Sequence, residues 1–169
     1  KEVLEAMKAA NAEAARSADE HRQLLIRLAE NSPAALFEFC IDAAGVISMP
    51  YSTARVHDLL GVTRAAIEAD ATRLFGNIPP EEQAGIDAAI KASHEALSPF
   101  RYRFGVRQPD GGTVWVQANS MPQRLADGGT TWIGNLHDVT PEVAREAELA
   151  RARDAALEMQ RRMQHLALH

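Results

Sequence analysis

The apolar residues of positions 1–30 recur with gaps that alternate between three and four. They fall at Leu4, Met7, Ala14, Ala18, Leu25 and Leu28, and Asn11 and His21 occupy the two remaining places in the stripe. This is the spacing of a coiled-coil seam. No Gly or Pro interrupts it, so 1–30 is predicted as one helix able to pair with another. The alanines and the two polar residues weaken the seam. Asn11 can set the pairing register and His21 can do the same, or both can simply face solvent. A second stripe runs through the last segment at Leu149, Ala152, Ala156, Met159, Met163 and Leu166. Ahead of it, Thr140 is placed to cap a helix and Pro141 suits the first helical position. Glu142 follows in the first turn, where a carboxylate complements the helix dipole.

Between these stripes the period changes. All ten glycines and seven of the eight prolines lie in 31–139, so the chain divides into a leading helix 1–30, a folded domain 31–139 and an exit helix 140–169. Leu36 to Asp42 alternates as a strand, with Phe37, Phe39 and Ile41 on one face. The turn Asp42-Ala43-Ala44-Gly45 leads to a second short strand at Val46–Met49. Ser52 or Thr53 can cap a helix that stops at Gly61, and Thr63 can cap another through Ala71. Pro79-Pro80-Glu81-Glu82 opens a third helix running to Leu97. Three strands follow, Phe100–Arg107, Thr113–Met121 and Thr130–Val139, joined by turns at Pro109-Asp110-Gly111-Gly112 and Asp127-Gly128-Gly129. Two strands, three short helices and three strands predict an α+β domain. It has a five-stranded antiparallel sheet with helices on one face. The other face then needs a cover, either the flanking helices or a second copy of the chain.

Composition narrows the function. A formal charge of −5 argues against a nucleic-acid partner, which would need a basic footprint. The single cysteine, Cys40, fits a reducing, cytoplasmic compartment, whether the segment is free or part of a membrane-anchored protein. No apolar run is long enough to span a bilayer, so no membrane contact is expected within this segment. The chain starts at Lys1 without a Met and reads as a segment of a longer one. It holds no phosphate-binding loop, zinc spacing or nucleophile motif, so no catalytic residue is expected and the segment is not expected to be an enzyme.

The order of elements resembles the PAS family of sensory domains, and local motifs agree. They are Phe100-Arg-Tyr-Arg-Phe, Gln108-Pro-Asp-Gly-Gly, Trp115-Val116, Pro122, Asp127-Gly128 and the closing Gly134-Asn-Leu-His-Asp-Val-Thr140. The resemblance covers 30–140. It departs at the first short helix, where Thr53 and Val56 stand in place of the Asn and Phe common in that family. The stretch Arg161-Arg-Met-Gln-His-Leu-Ala-Leu-His169 is similar to the lead-in to a GGDEF diguanylate cyclase domain. The end of an ordinary amphipathic helix is the alternative. A histidine kinase output would want a phosphoacceptor His in an acidic and basic context, which neither His165 nor His169 has.

The resemblance implies a sensory, dimerising module that passes a signal to a C-terminal output domain. A structural dimerisation module without a ligand is the competing reading. In the PAS register, strand alternation turns Phe37, Phe39, Ile41, Tyr102, Phe104, Val106, Val116, Ala118, Ser120, Trp132, Gly134 and Leu136 toward a pocket between sheet and helices. That lining suits a small hydrophobic ligand, with Tyr102 and Ser120 as polar contacts, or the side chains fill the space themselves. Flavin is not expected. The flavin-binding subgroup uses a helical cysteine, whereas Cys40 is on the first strand, and its polar flavin contacts are replaced by Leu136, Val106 and Val116. Haem would need His94, for which a partly exposed structural role is the alternative. His137, Asp138, Val139 and Thr140 form the expected transmission path, with His137 on the outer face of the sheet.

Overall fold

The computed structural model describes residues 1–168; His169, the end of the C-terminal motif, lies outside the described residues. Helix α1 (Glu2–Glu30) leads into strands β1 (Ala35–Ile41) and β2 (Ile47–Ser52). Helices α2 (Ala54–Leu60) and α3 (Arg64–Ala69), a 3-10 helix (Ala71–Phe75) and α4 (Pro80–Ala96) follow. Strands β3 (Phe100–Arg107), β4 (Thr113–Arg124) and β5 (Thr130–Asp138) complete the sheet, and α5 (Thr140–Ala167) leaves it. The strands are ordered β2-β1-β5-β4-β3, all neighbours antiparallel, so the last strand is the central one. This is the α+β arrangement read from the sequence.

The connections are built by short polar side chains. Asp42 Oδ1 accepts from the backbone N–H groups of Ala44 and Val46, both at 2.9 Å, and closes the β1–β2 turn. Asp127 Oδ1 accepts from Gly129 N at 2.8 Å, and its other oxygen accepts from Ala43 N at 3.3 Å, so the two hairpin ends are tied together. Thr63 caps α3 by accepting from Ala66 N. The 3-10 helix was not anticipated. Its cap is Asp70, whose Oδ1 accepts from the Thr72 hydroxyl at 2.6 Å and from Thr72 N at 3.0 Å. These bonds, with the charge of Arg73, hold the Asp70 carboxyl below its ordinary range.

Thr53 stands at the cap position of α2, but its hydroxyl does not bond within that helix. It accepts from Leu36 N at 3.0 Å and donates to Ala34 O at 2.8 Å, which pins the start of α2 to β1. His57 on α2 is half-buried. Its Nδ1–H donates to Val62 O at 2.9 Å, and its Nε2 meets the Ser52 hydroxyl at 2.8 Å.

The core lies between the sheet and α2–α4. Trp132, the largest of the fully buried side chains, is 2% exposed at the centre of β5. Its ring centroid is 5.7 Å from that of Phe39, whose ring meets Phe75 edge-on at 6.3 Å. The Trp132 Nε1–H donates to Ser93 Oγ at 2.9 Å, and Ser93 donates on to Ser98 O at 2.6 Å. Every polar group in this buried chain therefore has a partner, and α4 is held against the sheet at a set height.

The flanking helices do not cover the sheet. Neither α1 nor α5 buries a residue, and Ile133 and Met121 on the outer face are 56% and 59% exposed. That expectation is corrected for the single chain: both helices run off the domain, and their apolar stripes point into solvent. The outer face also carries Leu36, Asn119 and Asn135, which are half-buried, so it is open at Ile133 and Met121 and partly covered elsewhere.

Gly134 is the tightest point of the sheet. It pairs with Phe37 on one side and Ser120 on the other. A Cβ there would lie 2.6 Å from Ser120 Cα and closer still to the Asn119 carbonyl oxygen. Gly134→Ala should therefore push β5 from β4 and destabilise the domain by about 1–3 kcal/mol or more. Urea unfolding followed by tryptophan fluorescence should show a lowered midpoint. A midpoint equal to the parent's would show that the strands can part without cost.

Candidate functional site

A cavity of about 70 Å³ lies between the inner face of the sheet and the helical layer. Seven of the twelve residues expected at a pocket line it: Phe37, Phe39, Phe104, Ala118, Ser120, Trp132 and Leu136. The other five stand apart. Val106 and Val116 are fully buried in the core beside it. Ile41 is half-buried near the end of β1. Tyr102 is half-buried, stacks on Phe100 at 6.2 Å and aims its hydroxyl at Gly85 on α4, so it is not the polar contact expected in the pocket. Gly134 has no side chain to offer.

The helical wall was not read from the sequence. It comes from Leu60 on α2, Leu74 and Phe75 on the 3-10 helix, Ile78 after it, and Ile86 and Ile90 on α4. Met49 on β2 and Phe100 on β3 complete the lining. Ile86 and Ile90 stand four apart on one helical face, a spacing that could have marked them. Phe100 shares the parity of Tyr102 and Phe104 and could have been counted with them.

Neither coloured cofactor fits this chamber. Cofactor pockets commonly measure roughly 300–1,000 Å³, several times the volume present. His94 is half-buried but does not line the cavity. Its Nδ1 is 2.7 Å from Thr130 Oγ1 and accepts from Arg124 Nη1 at 2.9 Å, while Arg124 Nη2 donates to the His94 carbonyl at 2.6 Å. His94 thus locks the end of α4 to the β4–β5 hairpin and does not face a haem. No group of three His, Cys, Asp or Glu side chains among the described residues could hold a metal ion. No helix among them is long and apolar enough to cross a membrane.

The second site is the junction where β5 becomes α5. Val139 N donates to Trp115 O at 2.8 Å and extends the ladder with β4 by one bond. The next bond is made by a side chain: Trp115 N donates to Thr140 Oγ1 at 2.9 Å. Thr140 therefore does not cap α5 in the expected way, because its hydroxyl is committed to β4. Asp138 takes the capping role, with Oδ1 accepting from Thr140 N at 3.0 Å. Its carboxyl lies below the ordinary range, lowered first by the Thr140 side chain, then by the Thr140 backbone N–H and the charge of Arg55 on α2, against the opposing effect of burial. His137 is exposed on the outer face, in register with Gln117. Glu146 on α5 reaches Arg103 on β3 at 2.9 Å, a second link between α5 and the sheet.

The comparisons with known proteins agree with this architecture. No curated protein matches the chain in sequence at a significant level. Among solved structures, a sensory box histidine kinase/response regulator from Burkholderia thailandensis E264 superposes with a TM-score of 0.58 at 20% identity, over 80% of this chain and 97% of its own. An RNA-binding light-oxygen-voltage receptor gives 0.58 at 22% identity, over 82% of this chain and 38% of its own. The PAS domain of a Colwellia psychrerythraea protein gives 0.51 at 15% identity, over 70% of this chain and 98% of its own. At such identities the likeness is one of fold. The sequence model of the PAS fold matches residues 50–136, which is more than half of the chain, and the chain belongs to that family.

Proposed function

We propose that this chain is a sensory PAS module that pairs with a second copy and passes a signal from its cavity through β5 and α5 to an output domain. The observation that carries the reading is the junction. The central strand, which helps to wall the cavity with Trp132 and Leu136, continues into a 28-residue helix through a turn held by Asp138, Val139 and Thr140. A small displacement of β5 relative to β4 would strain the Trp115–Thr140 bond and re-aim the helix. The input is proposed as a small hydrophobic ligand. A ligand-free dimerisation module would need the same helices but would have no use for the chamber.

The apolar stripes support pairing. Leu4, Met7, Leu25 and Leu28 on α1, and Leu149, Met159, Met163 and Leu166 on α5, are all exposed in the single chain. Two parallel copies would bury both stripes and bring the outer sheet faces near one another. The output is proposed as a diguanylate cyclase, on the likeness of Arg161–Leu168 to the lead-in of that domain. A histidine kinase is the second reading, as in the Burkholderia protein of similar fold. The sequence that follows the exit helix in the parent gene decides between them, since a GGDEF motif and a phosphoacceptor helix look nothing alike.

Sedimentation of the chain at about 50 µM should give a dimer, and Leu149→Glu with Met159→Glu should return it to monomer without lowering the melting temperature of the domain. A monomeric parent at that concentration would refute pairing through these helices.

Asp138 makes a pH-dependent contribution of definite sign. Its folded carboxyl titrates below the ordinary aspartate value, so its stabilisation is present above that value and is lost as pH falls through the lower folded one. Asp138→Asn should cost about 0.5–1 kcal/mol at neutral pH, the lower part of the capping range, because the group is largely solvated. The gap in melting temperature between parent and variant should be constant from about pH 7 to 5 and narrow below about pH 4. In the full protein the variant should alter the output's response to stimulus while the domain stays folded. A gap unchanged down to about pH 2, or an unaltered response, would remove Asp138 from the transmission path.

A further inference from the structure

We propose that the central cavity takes a compact, uncharged molecule smaller than benzene with a single hydrogen-bonding group, and that the Ser120 hydroxyl reads that group. This deepens the ligand-sensing reading above and rests on it. Ser120 lies on the inner face of β4, opposite Phe100 on β3 and Gly134 on β5, and is 6% exposed. It lines the cavity, and its Oγ is buried without a hydrogen-bond partner among the described residues. Tyr51 and Asn135 also carry a buried polar atom without a partner, but neither lines the cavity. Leaving a hydroxyl unpaired in such surroundings costs stability, and a partner that enters the cavity recovers it.

The chemistry of that partner is constrained from three sides. Water is a poor occupant, because a buried water wants about two to four polar partners and this chamber offers one. Trp132 cannot supply a second, since its Nε1–H is committed to Ser93. A charged ligand is excluded by the walls: no lining residue is ionisable, and an uncompensated charge in an apolar chamber is heavily penalised. Size sets the third limit. The cavity measures about 70 Å³, whereas a chamber of roughly 150 Å³ holds benzene. A molecule of about five non-hydrogen atoms is the right scale. A hydroxyl both donates and accepts, so ketones and alcohols are both admitted. The missing side chain at Gly134 is part of the arrangement, because a Cβ there would meet Ser120 Cβ at 2.6 Å and displace it.

The test uses three cyclic molecules of about five non-hydrogen atoms each, cyclobutanone, cyclobutanol and cyclopentane, titrated into the full chain while methyl NMR signals of Ala118, Leu136 and Ile90 are followed. Ser120→Ala should weaken the ketone and the alcohol by about 5–10-fold and change cyclopentane by less than about 2-fold. Equal losses for all three, or none, would overturn the role of Ser120 while leaving a ligand-binding cavity in place. If none of the three moves these signals in the parent up to its solubility, the ligand-sensing reading falls and this inference falls with it. A second readout needs no ligand. Unliganded Ser120→Ala should melt about 2–6 °C above the parent, because the variant removes an unpaired buried hydroxyl. Melting below the parent would mean that the hydroxyl already has a partner, and would overturn the inference.

Discussion

The hydrogen bond from the Trp132 indole to Ser93 sets the geometry on which the rest of the domain depends. It joins the middle of the central strand to the last turns of α4 at 2.9 Å, in a place where neither group can turn to water. Because Ser93 also donates to Ser98, the bond is backed by the end of the helix itself. The helix can neither settle further onto the sheet nor lift from it without leaving these groups unpaired. The height of α4 fixes where Ile86 and Ile90 stand, and with them the roof of the cavity. A second lock, Arg124 and Thr130 upon His94, holds the same end of α4 to the β4–β5 hairpin. The chamber is small because its roof is pinned in two places.

The strand that carries Trp132 also carries the exit. β5 pairs with β4 from Thr130 to Asp138 and with β1 from Thr130 to Leu136, so it is the strand least able to move alone. Gly134 lets it approach β4 closely beside Ser120, and Thr140 extends that contact past the end of the ladder by giving its hydroxyl to Trp115 N. Cavity wall and helix start thus share one rigid element about nine residues long. The proposed coupling between them needs no chain of intermediates, since a shift at Trp132 or Leu136 would be a shift of the segment that ends at Asp138. The charge of Arg55 on α2 also acts on Asp138 at this junction.

The flanking helices present the opposite case. Within one chain they have no buried residue, and α5 meets the sheet through the Thr140–Trp115 bond at its first residue and the exposed Arg103–Glu146 pair, which contributes little by itself. Their apolar stripes, on helices of 29 and 28 residues, are open to solvent and are what the proposed pairing would cover. The open sheet face, with Ile133 and Met121 at its centre, belongs to the same account.

How much of this was legible in the sequence follows from which forces act locally. Strand parity sorted the sheet residues, because side chains alternate whatever the partner strand is; Phe37, Trp132 and Leu136 share one face, and His137 and Ile133 the other. Turn residues marked the hairpins, since Asp42, Asp110 and Asp127 act on backbone only two to four positions away. Both long helices were written in their stripes. What local pattern did not show were bonds between distant segments. Thr53 and Thr140 look like caps, yet their hydroxyls serve strands 17 and 25 positions away. Tyr102 has the parity of a pocket residue but stands at the sheet's margin, where α4 meets it. The 3-10 helix that supplies Leu74 and Phe75 has no period to detect, and its place in the wall is set by packing. The sequence by itself determined the elements, their faces and their ends, because these depend on neighbours within a few residues. Only the tertiary structure decided which of those faces enclose a chamber, how small it is and that Ser120 stands in it unpaired. Those outcomes depend on the spacing between layers, which distant hydrogen bonds set.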